Sequence, residues 1–270
     1  MTHIDFIQKI LGEASEIART RFGKVTGRIK PDDRNQVLTD ADIEIGKFII
    51  ENIDREFPQY NVIDEEAGVI DKNSDYTFVV DPIDGTSNFA AGVPTYGIII
   101  GLLNKGNPVA GGVALPYFSE ITIAEKGKGA FLNGKKIKVT KETDLSKTLV
   151  AVGLDPHYEN PERTRKEIKI AGEILLHSRN MRTSNSIFDD MQVARGNYGG
   201  WICFNTKIWD NIGSQIIIEE AGGIYTDFYG EKQDFSNPIG KAKSQFSNCV
   251  GAPALHAKLQ EIIHNDTVVI

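Results

Sequence analysis

Apolar side chains recur at helical spacing in two stretches near the start of the chain. In the first stretch they form one stripe, made of Ile4, Ile7, Ile10, Leu11, Ala14, Ile17 and Ala18. The second stretch opens with Thr39, places Ile45, Ile49 and Ile53 on one face, and stops before Pro58, which cannot continue a helix. We therefore predict two helices that each pack through one face.

Short apolar runs follow the second helix and predict strands. The segments "YNVID" (60–64) and "YTFVVD" (76–81) have strand length, and each ends in an acidic residue. Between residues 96 and 139 apolar runs alternate with turn residues, and Asn133-Gly134 is the strongest signal for a two-residue hairpin. This part of the chain is therefore predicted to form an antiparallel meander.

The later half alternates between strand and helix signals. We predict strands at "TLVAVGL" and "YGGWICF", helices around 161–178 and 186–195, and a third helix across "WDNIGSQIIIEEAGG" that ends at Gly222 and Gly223. Since the middle of the chain lacks crossover helices, two mixed α/β lobes fit better than one doubly wound parallel sheet. The division is expected near residue 143, which gives an N-terminal lobe of 1–143 and a C-terminal lobe of 144–270.

Composition and charge narrow the function classes. The chain has 270 residues, of which 40% are hydrophobic, so it is long enough to bury a substantial core. Its net charge of -7 is made of interspersed acids and bases, and we expect no nucleic-acid partner. Neither a signal peptide nor an apolar run of membrane-spanning length is found, so a soluble cytoplasmic protein without membrane contact is predicted. Cys203 and Cys249 form no metal-binding or redox motif.

The stretch "DPIDGTSNF" (81–89) carries the first candidate chemistry. Asp81 and Asp84 follow a strand predicted to be buried, and aspartate, proline and glycine are all common in ordinary turns. Two carboxylates held close together repel each other and are costly to bury unless a cation compensates them. We therefore predict a turn at the rim of a sheet that holds a divalent metal ion.

The residues around the two aspartates suit a site for metal and phosphate. Pro82 restricts the backbone, Gly85 permits a ligand to approach it closely, and Thr86 offers a hydroxyl that could orient water. The stretch is also placed to lead into a helix, whose free N–H groups bind anions. An EF-hand needs acids at alternate positions, and an aspartic protease needs threonine or serine before glycine, so neither pattern fits.

Four further acidic residues have an ordinary structural interpretation beside the functional one. Taken alone, Glu65 and Glu66 in "DEEAG" indicate a solvated loop. Asp210 lies where a helix begins and reads as its N-cap, and Asp42 completes a capping box that starts at Thr39. None of these acids indicates a site by itself.

Taken together, the motifs resemble the inositol monophosphatase family of magnesium-dependent phosphatases. The segments "VLTDAD", "DEEAG", "DPIDGTSNF", "GKGAFLNGKKIKV" and "WDNIGSQIIIEEAGG" occur in the order and spacing of that family. The resemblance implies a layered α-β-α-β-α sandwich with a mostly antiparallel N-terminal sheet. It also implies a homodimer and a site between the lobes that binds a small phosphorylated metabolite.

The resemblance also assigns roles to individual residues. The implied metal ligands are Glu65, Asp81, the carbonyl of Ile83, Asp84 and Asp210. The implied phosphate-binding residues are Gly85 and Thr86, and the implied catalytic residues are Glu65, Thr86 and Asp42, where Glu65 and Thr86 orient the attacking water. The substrate loop of the family falls on Ser184 and Asn185, and Lys30 falls near its basic residue in the loop "IKPDDRNQ".

An all-oxygen ligand set is typical of hard cations, and an open site for a phosphate favours Mg²⁺. We expect two or three Mg²⁺ ions and hydrolysis of a small phosphate monoester by direct attack of metal-activated water. No phosphoenzyme is needed for this reaction.

Two departures from the family pattern leave the substrate open. Cys203 occupies the position of a glutamate that accepts hydrogen bonds from inositol hydroxyls, and Ser184-Asn185-Ser186-Ile187 replaces a G-[ST]-A-A stretch. Asn185 or Asn205 either supplies alternative polar contacts or serves as a turn residue.

Several substrates and one other class of protein remain alternatives. Fructose 1,6-bisphosphate and 3′-phosphoadenosine 5′-phosphate stay open, and the basic residues in "RTRKEIK" and "HSRNMR" either bind a second phosphate or form a solvated surface. A regulatory binding protein that retains the fold is the alternative from another class. A nicotinamide-dependent oxidoreductase is discounted, because "GKGAFLNG" has the wrong spacing for a dinucleotide-binding loop.

Overall fold

The structure is a computed structural model that describes residues 1–30 and 33–266. Within these ranges the chain forms seven α-helices and fifteen β-strands. The helices are α1 (His3–Arg21), α2 (Asp40–Glu56), α3 (Thr86–Ala90), α4 (Pro161–His177), α5 (Ile187–Ala194), α6 (Ile208–Glu220) and α7 (Pro253–Asp266). None of these helices has both the length and the apolar character that a bilayer crossing requires.

The strands belong to three sheets of two, eight and five strands. The two-stranded sheet contains β1 (Arg28–Lys30) and β2 (Asp33–Leu38). The eight-stranded sheet contains β3 (Asn61–Asp64), β4 (Gly68–Ile70), β5 (Tyr76–Asp84), β6 (Gly97–Asn104), β7 (Asn107–Leu115), β8 (Glu120–Glu125), β9 (Gly129–Leu132) and β10 (Lys135–Lys136). The five-stranded sheet contains β11 (Leu149–Gly153), β12 (Asn180–Arg182), β13 (Tyr198–Thr206), β14 (Ile224–Thr226) and β15 (Phe246–Gly251).

The eight-stranded sheet is antiparallel except for one pair. Its order is β10-β9-β8-β7-β6-β5-β3-β4, and only β3 and β5 run parallel. The strands from β6 to β10 pair with their neighbours in sequence, which confirms the predicted meander. Asn133 and Gly134 both have positive φ angles, 46° and 77°, as the tight turn between β9 and β10 requires.

The five-stranded sheet is mixed, with the order β12-β11-β13-β15-β14. Strand β11 runs parallel to both of its neighbours, β12 and β13, and α4 and α5 supply the connections between the parallel strands. The predicted strands and helices of this half are confirmed, whereas the sequence reasoning did not identify β14, β15 and α7. The eight-stranded sheet uses residues 61–136 and the five-stranded sheet uses 149–251. A lobe boundary at residue 143 stays a prediction.

Helices and sheets alternate in five layers. Helices α1 and α2 cover one face of the eight-stranded sheet, and α5 and α6 lie between the two sheets. Helices α4 and α7 cover the outer face of the five-stranded sheet. This arrangement confirms the predicted α-β-α-β-α sandwich.

Glycines allow α6 to lie close against the eight-stranded sheet. A Cβ atom at Gly101 would lie 2.6 Å from Cβ of Ile212, and a Cβ atom at Gly213 would lie 2.6 Å from Cγ2 of Ile99. Any larger residue at these positions would push the helix outward. The start of α6 is therefore held close to the end of β5, where Asp81 and Asp84 lie.

Candidate active site

The two aspartates of "DPIDGTSNF" belong to β5 itself, so the predicted turn is wrong. The register against β6 shifts by one residue between Asp81, which lies opposite Ile99, and Asp84, which lies opposite Gly97. In a regular strand, residues three positions apart face opposite sides of the sheet. The extra residue reverses this alternation, and Pro82 is tolerated at such an irregularity. Both carboxylates consequently reach the same site.

Asp210 brings a third carboxylate from α6. It is the third residue of the helix, and its Oδ2 accepts a hydrogen bond of 2.7 Å from the backbone N–H of Lys207. The N-cap position belongs to Lys207, so the interpretation of Asp210 as the N-cap is wrong. Carboxylate oxygens of Asp81, Asp84 and Asp210 lie within 4.8 Å of one another. Three of the predicted metal ligands therefore converge in the fold.

The electrostatics of these three acids fit a divalent cation. Burial, together with the neighbouring carboxylates, raises the pKa of Asp81 and Asp210 well above their usual range. Burial also raises the pKa of Asp84 to about 7. Oδ1 of Asp81 is buried without a hydrogen-bond partner among the described residues. Oxygen donors of this kind suit a hard cation, which would relieve both the repulsion and the unpaired oxygen.

Glu65 lies at the same pocket but is held by Lys30. Its carboxylate accepts a hydrogen bond of 2.7 Å from Nζ of Lys30, which also lies 2.6 Å from Glu66. The Glu65 and Glu66 side chains are only 10% and 14% exposed, so the solvated-loop interpretation is wrong. Burial raises the pKa of Glu65 to about 7. Burial lowers the pKa of Lys30, but the two glutamates outweigh this effect and raise it.

Lys30 lies in β1, and the described residues of "IKPDDRNQ", which was expected to be a loop, belong to strands. Residues 33–36 belong to β2, while residues 31 and 32 lie outside the described part of the chain. Glu65 is not one of the three acids whose oxygens lie within 4.8 Å of one another, and its role as a metal ligand stays a prediction.

Thr86 connects the predicted ligands to Asp42. Gly85 precedes it with a φ angle of 79°, and Thr86 is the first residue of α3. The Thr86 hydroxyl lies 2.8 Å from the carbonyl oxygen of Ile83 and 3.1 Å from Oδ1 of Asp42. The helix predicted to follow "DPIDG" is therefore present, and the hydroxyl has two acceptors for its single proton.

Asp42 is buried close to the pocket. The predicted capping box is confirmed, because Oδ2 of Asp42 accepts a hydrogen bond of 2.8 Å from the N–H of Thr39. Burial raises the pKa of Asp42 to about 6. Asp42 is not among the described residues that line the pocket. It accepts a hydrogen bond from Thr86, which does line the pocket.

The loop before α5 approaches the acids from the C-terminal half. The backbone N–H of Ile187 donates a hydrogen bond to Oδ2 of Asp84. Asn185 and Ser186 line the pocket, whereas Ser184 is not among the described residues that do. The Ser184 N–H donates to Asp189 at 2.9 Å, and its hydroxyl lies 3.0 Å from that of Ser186. Ser184 thus shapes the loop, and its neighbour Ser186 was missed by the sequence reasoning.

The pocket has a volume of about 260 Å³ and extends from the acids toward the five-stranded sheet. Cys203 and Asn205 line it from β13, and the Cys203 thiol lies 3.4 Å from the carbonyl oxygen of Asn205. Sequence reasoning also missed Asp190, Trp201 and Asn248, which line the same end. For Asp190 a signal existed, since it is the second of two adjacent acids in a helix that is apolar apart from them and Gln192.

Comparisons with known proteins agree with this geometry. The chain matches the sequence profile of the inositol monophosphatase family over residues 2–266. A "Fructose-1,6-bisphosphatase/inositol-1-monophosphatase" from Aquifex aeolicus is 32% identical over 217 residues, covering 78% of this chain and 80% of the relative. A "Nus factor SuhB" from Xylella fastidiosa is 32% identical over 198 residues, covering 73% of this chain and 71% of the relative.

The fold comparison points the same way. An inositol monophosphatase (IMPase) structure from Thermotoga maritima superimposes with a TM-score of 0.86 at 26% identity, covering 98% of both chains. The layered sandwich and its acidic pocket between two sheets are those of a sugar-phosphatase-type fold. The chain belongs to the inositol monophosphatase family.

Proposed function

We propose that the protein is a metal-dependent hydrolase of small phosphate monoesters. The observation that carries the proposal is the convergence of Asp81, Asp84 and Asp210 in one pocket. Buried carboxylates that repel one another reduce stability, and such clusters occur where a charged ligand is bound. Membership of a family whose named relatives include phosphatases supports the same function.

Residues of this chain would hold the metal and position the reactants. Asp81, Asp84 and Asp210 would ligate the metal, with Glu65 and the Ile83 carbonyl as further ligands. The bound metal would supply a more acidic water and a counter-charge for the phosphate. Thr86 donates its proton to Asp42 or to Ile83, so its lone pairs are left to accept a hydrogen bond from the attacking water. The Ile187 N–H fixes the orientation of Asp84.

Finer features of the proposal follow the family resemblance. We propose Mg²⁺ as the metal, with two or three ions per site, because all predicted ligands are oxygen atoms. Gly85 and Thr86 are proposed to bind the phosphate. A cytoplasmic homodimer is also proposed, and sedimentation of the purified protein would test the dimer.

Hydrolysis of inositol 1-phosphate with and without Mg²⁺ tests the proposal. Asp84→Asn removes one carboxylate charge from the site, and we expect its activity to fall by about 100-fold or more. Asp75→Asn is the matched control, since this aspartate is exposed and pairs only loosely with Lys105 at 3.4 Å. Undiminished activity of Asp84→Asn, or of the wild-type protein in a chelator, would exclude the proposed function.

A binding role that does not require catalysis is the second candidate. The relative named Nus factor SuhB favours it, because that name describes a factor and not an enzyme. The Asp84→Asn variant separates the two functions. The binding role would be favoured by two results together: a partner binds the wild-type protein and the variant equally, and the wild-type protein hydrolyses no ester.

A further inference from the structure

Four buried polar atoms at the far end of the pocket have no hydrogen-bond partner among the described residues. They are Oδ1 of Asp190, Nε1 of Trp201, Oδ1 of Asn205 and Oδ1 of Asn248. The side chains of Asp190, Trp201 and Asn248 are only 4%, 3% and 2% exposed. All four residues line the pocket that contains the acids. Since buried polar groups in folded proteins nearly always have hydrogen-bond partners, we expect a ligand or water to supply the partners of these four atoms.

These atoms come from three neighbouring elements around Cys203. Trp201 and Cys203 share one face of β13, because side chains alternate along a strand. Between Cys203 and Thr206 the register against β15 shifts, and Asn205, which lies in this segment, also lines the pocket. Asn248 lies opposite Cys203 in the register of β13 and β15. Asp190 comes from α5, which packs on β13. Burial raises the pKa of Asp190, and the neighbouring Asp84, Asp189 and Asp210 raise it further.

The donor and acceptor set suits hydroxyl groups. Trp201 offers one N–H donor, and the other three residues offer oxygen acceptors. An alcohol hydroxyl both donates and accepts a hydrogen bond, so several hydroxyls could pair with all four atoms. An apolar group would leave these atoms without hydrogen bonds, at a cost in affinity. No lysine or arginine is found among the described residues that line the pocket. A second phosphate offers acceptor oxygens, so it would leave these three acceptors without a donor.

We propose that Asp190, Trp201, Asn205 and Asn248 bind the alcohol portion of the substrate, and that they select hydroxyl-rich monophosphates over bisphosphates. Asp190 then supplies from α5 the acceptor that is absent at Cys203. This inference rests on the proposed phosphatase function. It names the residues of this chain that determine the specificity of that site.

Two esters with the same phosphate group separate alcohol binding from catalysis. Inositol 1-phosphate presents hydroxyls to the subsite, whereas p-nitrophenyl phosphate presents none. Asp190→Asn replaces one acceptor oxygen by an amide donor, and its kcat/KM for inositol 1-phosphate should fall by about tenfold or more, while that for p-nitrophenyl phosphate stays within about twofold. Trp201→Phe removes the indole N–H but keeps an aromatic ring, and a smaller loss confined to inositol 1-phosphate is expected.

Met191→Leu is the matched control, because Met191 is the next residue of α5 and packs into the apolar core. It should leave both kcat/KM values unchanged, and thermal unfolding shows whether each variant is folded. If the wild-type enzyme is active and Asp190→Asn keeps both activities, the proposed subsite is overturned. The same holds if Asp190→Asn loses both activities to the same extent. A wild-type protein that hydrolyses neither ester with Mg²⁺ would instead overturn the proposed function itself.

Fructose 1,6-bisphosphate tests the selection against a second phosphate. The wild-type enzyme should hydrolyse it with a kcat/KM about tenfold or more below that for inositol 1-phosphate, and Asp190→Asn should narrow the difference because the asparagine amide offers the second phosphate a donor. An equal or higher kcat/KM for the bisphosphate with the wild-type enzyme would contradict the proposed selectivity.

Discussion

Asp81, Asp84 and Asp210 reduce the stability of the fold until a cation binds them. Their carboxylates are buried, they lie within 4.8 Å of one another, and burial with mutual repulsion raises each pKa. A sequence selected for stability alone would place apolar residues there. The cluster therefore indicates that function, not folding, determines these residues.

The raised pKa values set the pH dependence of the metal-free protein. Asp84 and Glu65 titrate near pH 7 in the folded protein, above their ordinary values of 3.8 and 4.5. The folded state thus binds protons more tightly than the unfolded state, and its stability falls as pH rises through this window. We expect the free energy of unfolding in a chelator to be lower at about pH 8 than at about pH 5.5, by about 1 kcal/mol or more.

Urea unfolding at the two pH values measures this change. Asp84→Asn removes one of the titrating groups, and its stability should fall less over the same interval. A decrease that is equal in the wild-type protein and in Asp84→Asn would show that the cluster does not cause it.

Lys30 provides a counter-charge for Glu65 and Glu66 in the absence of a metal ion. Lys30→Met leaves two carboxylates, 10% and 14% exposed, without this partner, and should lower the free energy of unfolding by about 1–3 kcal/mol in a chelator. The loss should be smaller with Mg²⁺, since a cation bound near Glu65 replaces part of the charge. Lys47→Met is the control, because its pair with Glu51 is exposed and should contribute less than about 0.5 kcal/mol.

At the residue scale the sequence predicted the three acids, but not the roles of Asp190, Trp201 and Asn248 at the far end of the pocket. Asp81, Asp84 and Asp210 occur in long motifs with fixed spacing, which a single sequence displays. Trp201 and Asn248 come from separate strands and have no common motif. Their significance lies in burial without a partner, and only the folded chain shows this property.

At the scale of single elements, β5 and α6 build the site. The register shift in β5 turns Asp81 and Asp84 to one side, and α6 carries Asp210 to them. The sequence predicted both elements from their apolar runs. It did not predict the shift, because "DPIDG" has the composition of a turn and the pairing with β6 alone decides that it stays in the sheet.

Close packing of α6 on the sheet gives a prediction for Gly101. Gly101→Ala adds a Cβ atom 2.6 Å from Ile212 and 2.8 Å from the backbone nitrogen of Gly213, so the helix must move. We expect a loss of about 1–3 kcal/mol in the free energy of unfolding and weaker Mg²⁺ binding, because Asp210 moves with α6. Thermal unfolding and Mg²⁺ titration check both effects.

Gly172→Ala is the matched control for this substitution. Gly172 lies within α4, where an added Cβ meets no atom within 4 Å. Alanine should stabilise the helix by about 0.5–1 kcal/mol and leave Mg²⁺ binding unchanged. If Gly101→Ala binds Mg²⁺ as well as the Gly172→Ala control does, the position of α6 is not what orients Asp210.

Elements with strong periodicity were predicted and those without it were missed. Helices α1 and α2 have regular apolar stripes, and the limits of α2 were signalled by Thr39 and Pro58. Strand β2 has the sequence "DRNQVL", whose polar start shows no alternation, and the three-residue strand β14 is too short to show any. Pairing within the fold, not local pattern, creates these strands.

At the scale of the whole molecule, the five layers bring distant parts of the chain to one pocket. Asp81 and Asp84 come from the eight-stranded sheet, Asp210 from the helical layer between the sheets, and Cys203 from the five-stranded sheet. The family resemblance predicted this architecture as a whole, whereas periodicity alone predicted only two mixed lobes. A cation bound at the acids would therefore stabilise the contact between the eight-stranded sheet and the helical layer.

The thermal stability of wild-type protein and Asp81→Asn at about pH 8, with and without Mg²⁺, tests this account most directly. Mg²⁺ at about 100 times its Kd should raise the wild-type Tm by about 5 °C or more. Asp81→Asn should have the higher Tm in a chelator, because one repelling buried charge is gone, and should lose most of the Mg²⁺-induced increase. A wild-type Tm that does not change with Mg²⁺, or an Asp81→Asn variant that responds to Mg²⁺ as fully as the wild type, would contradict the cation site.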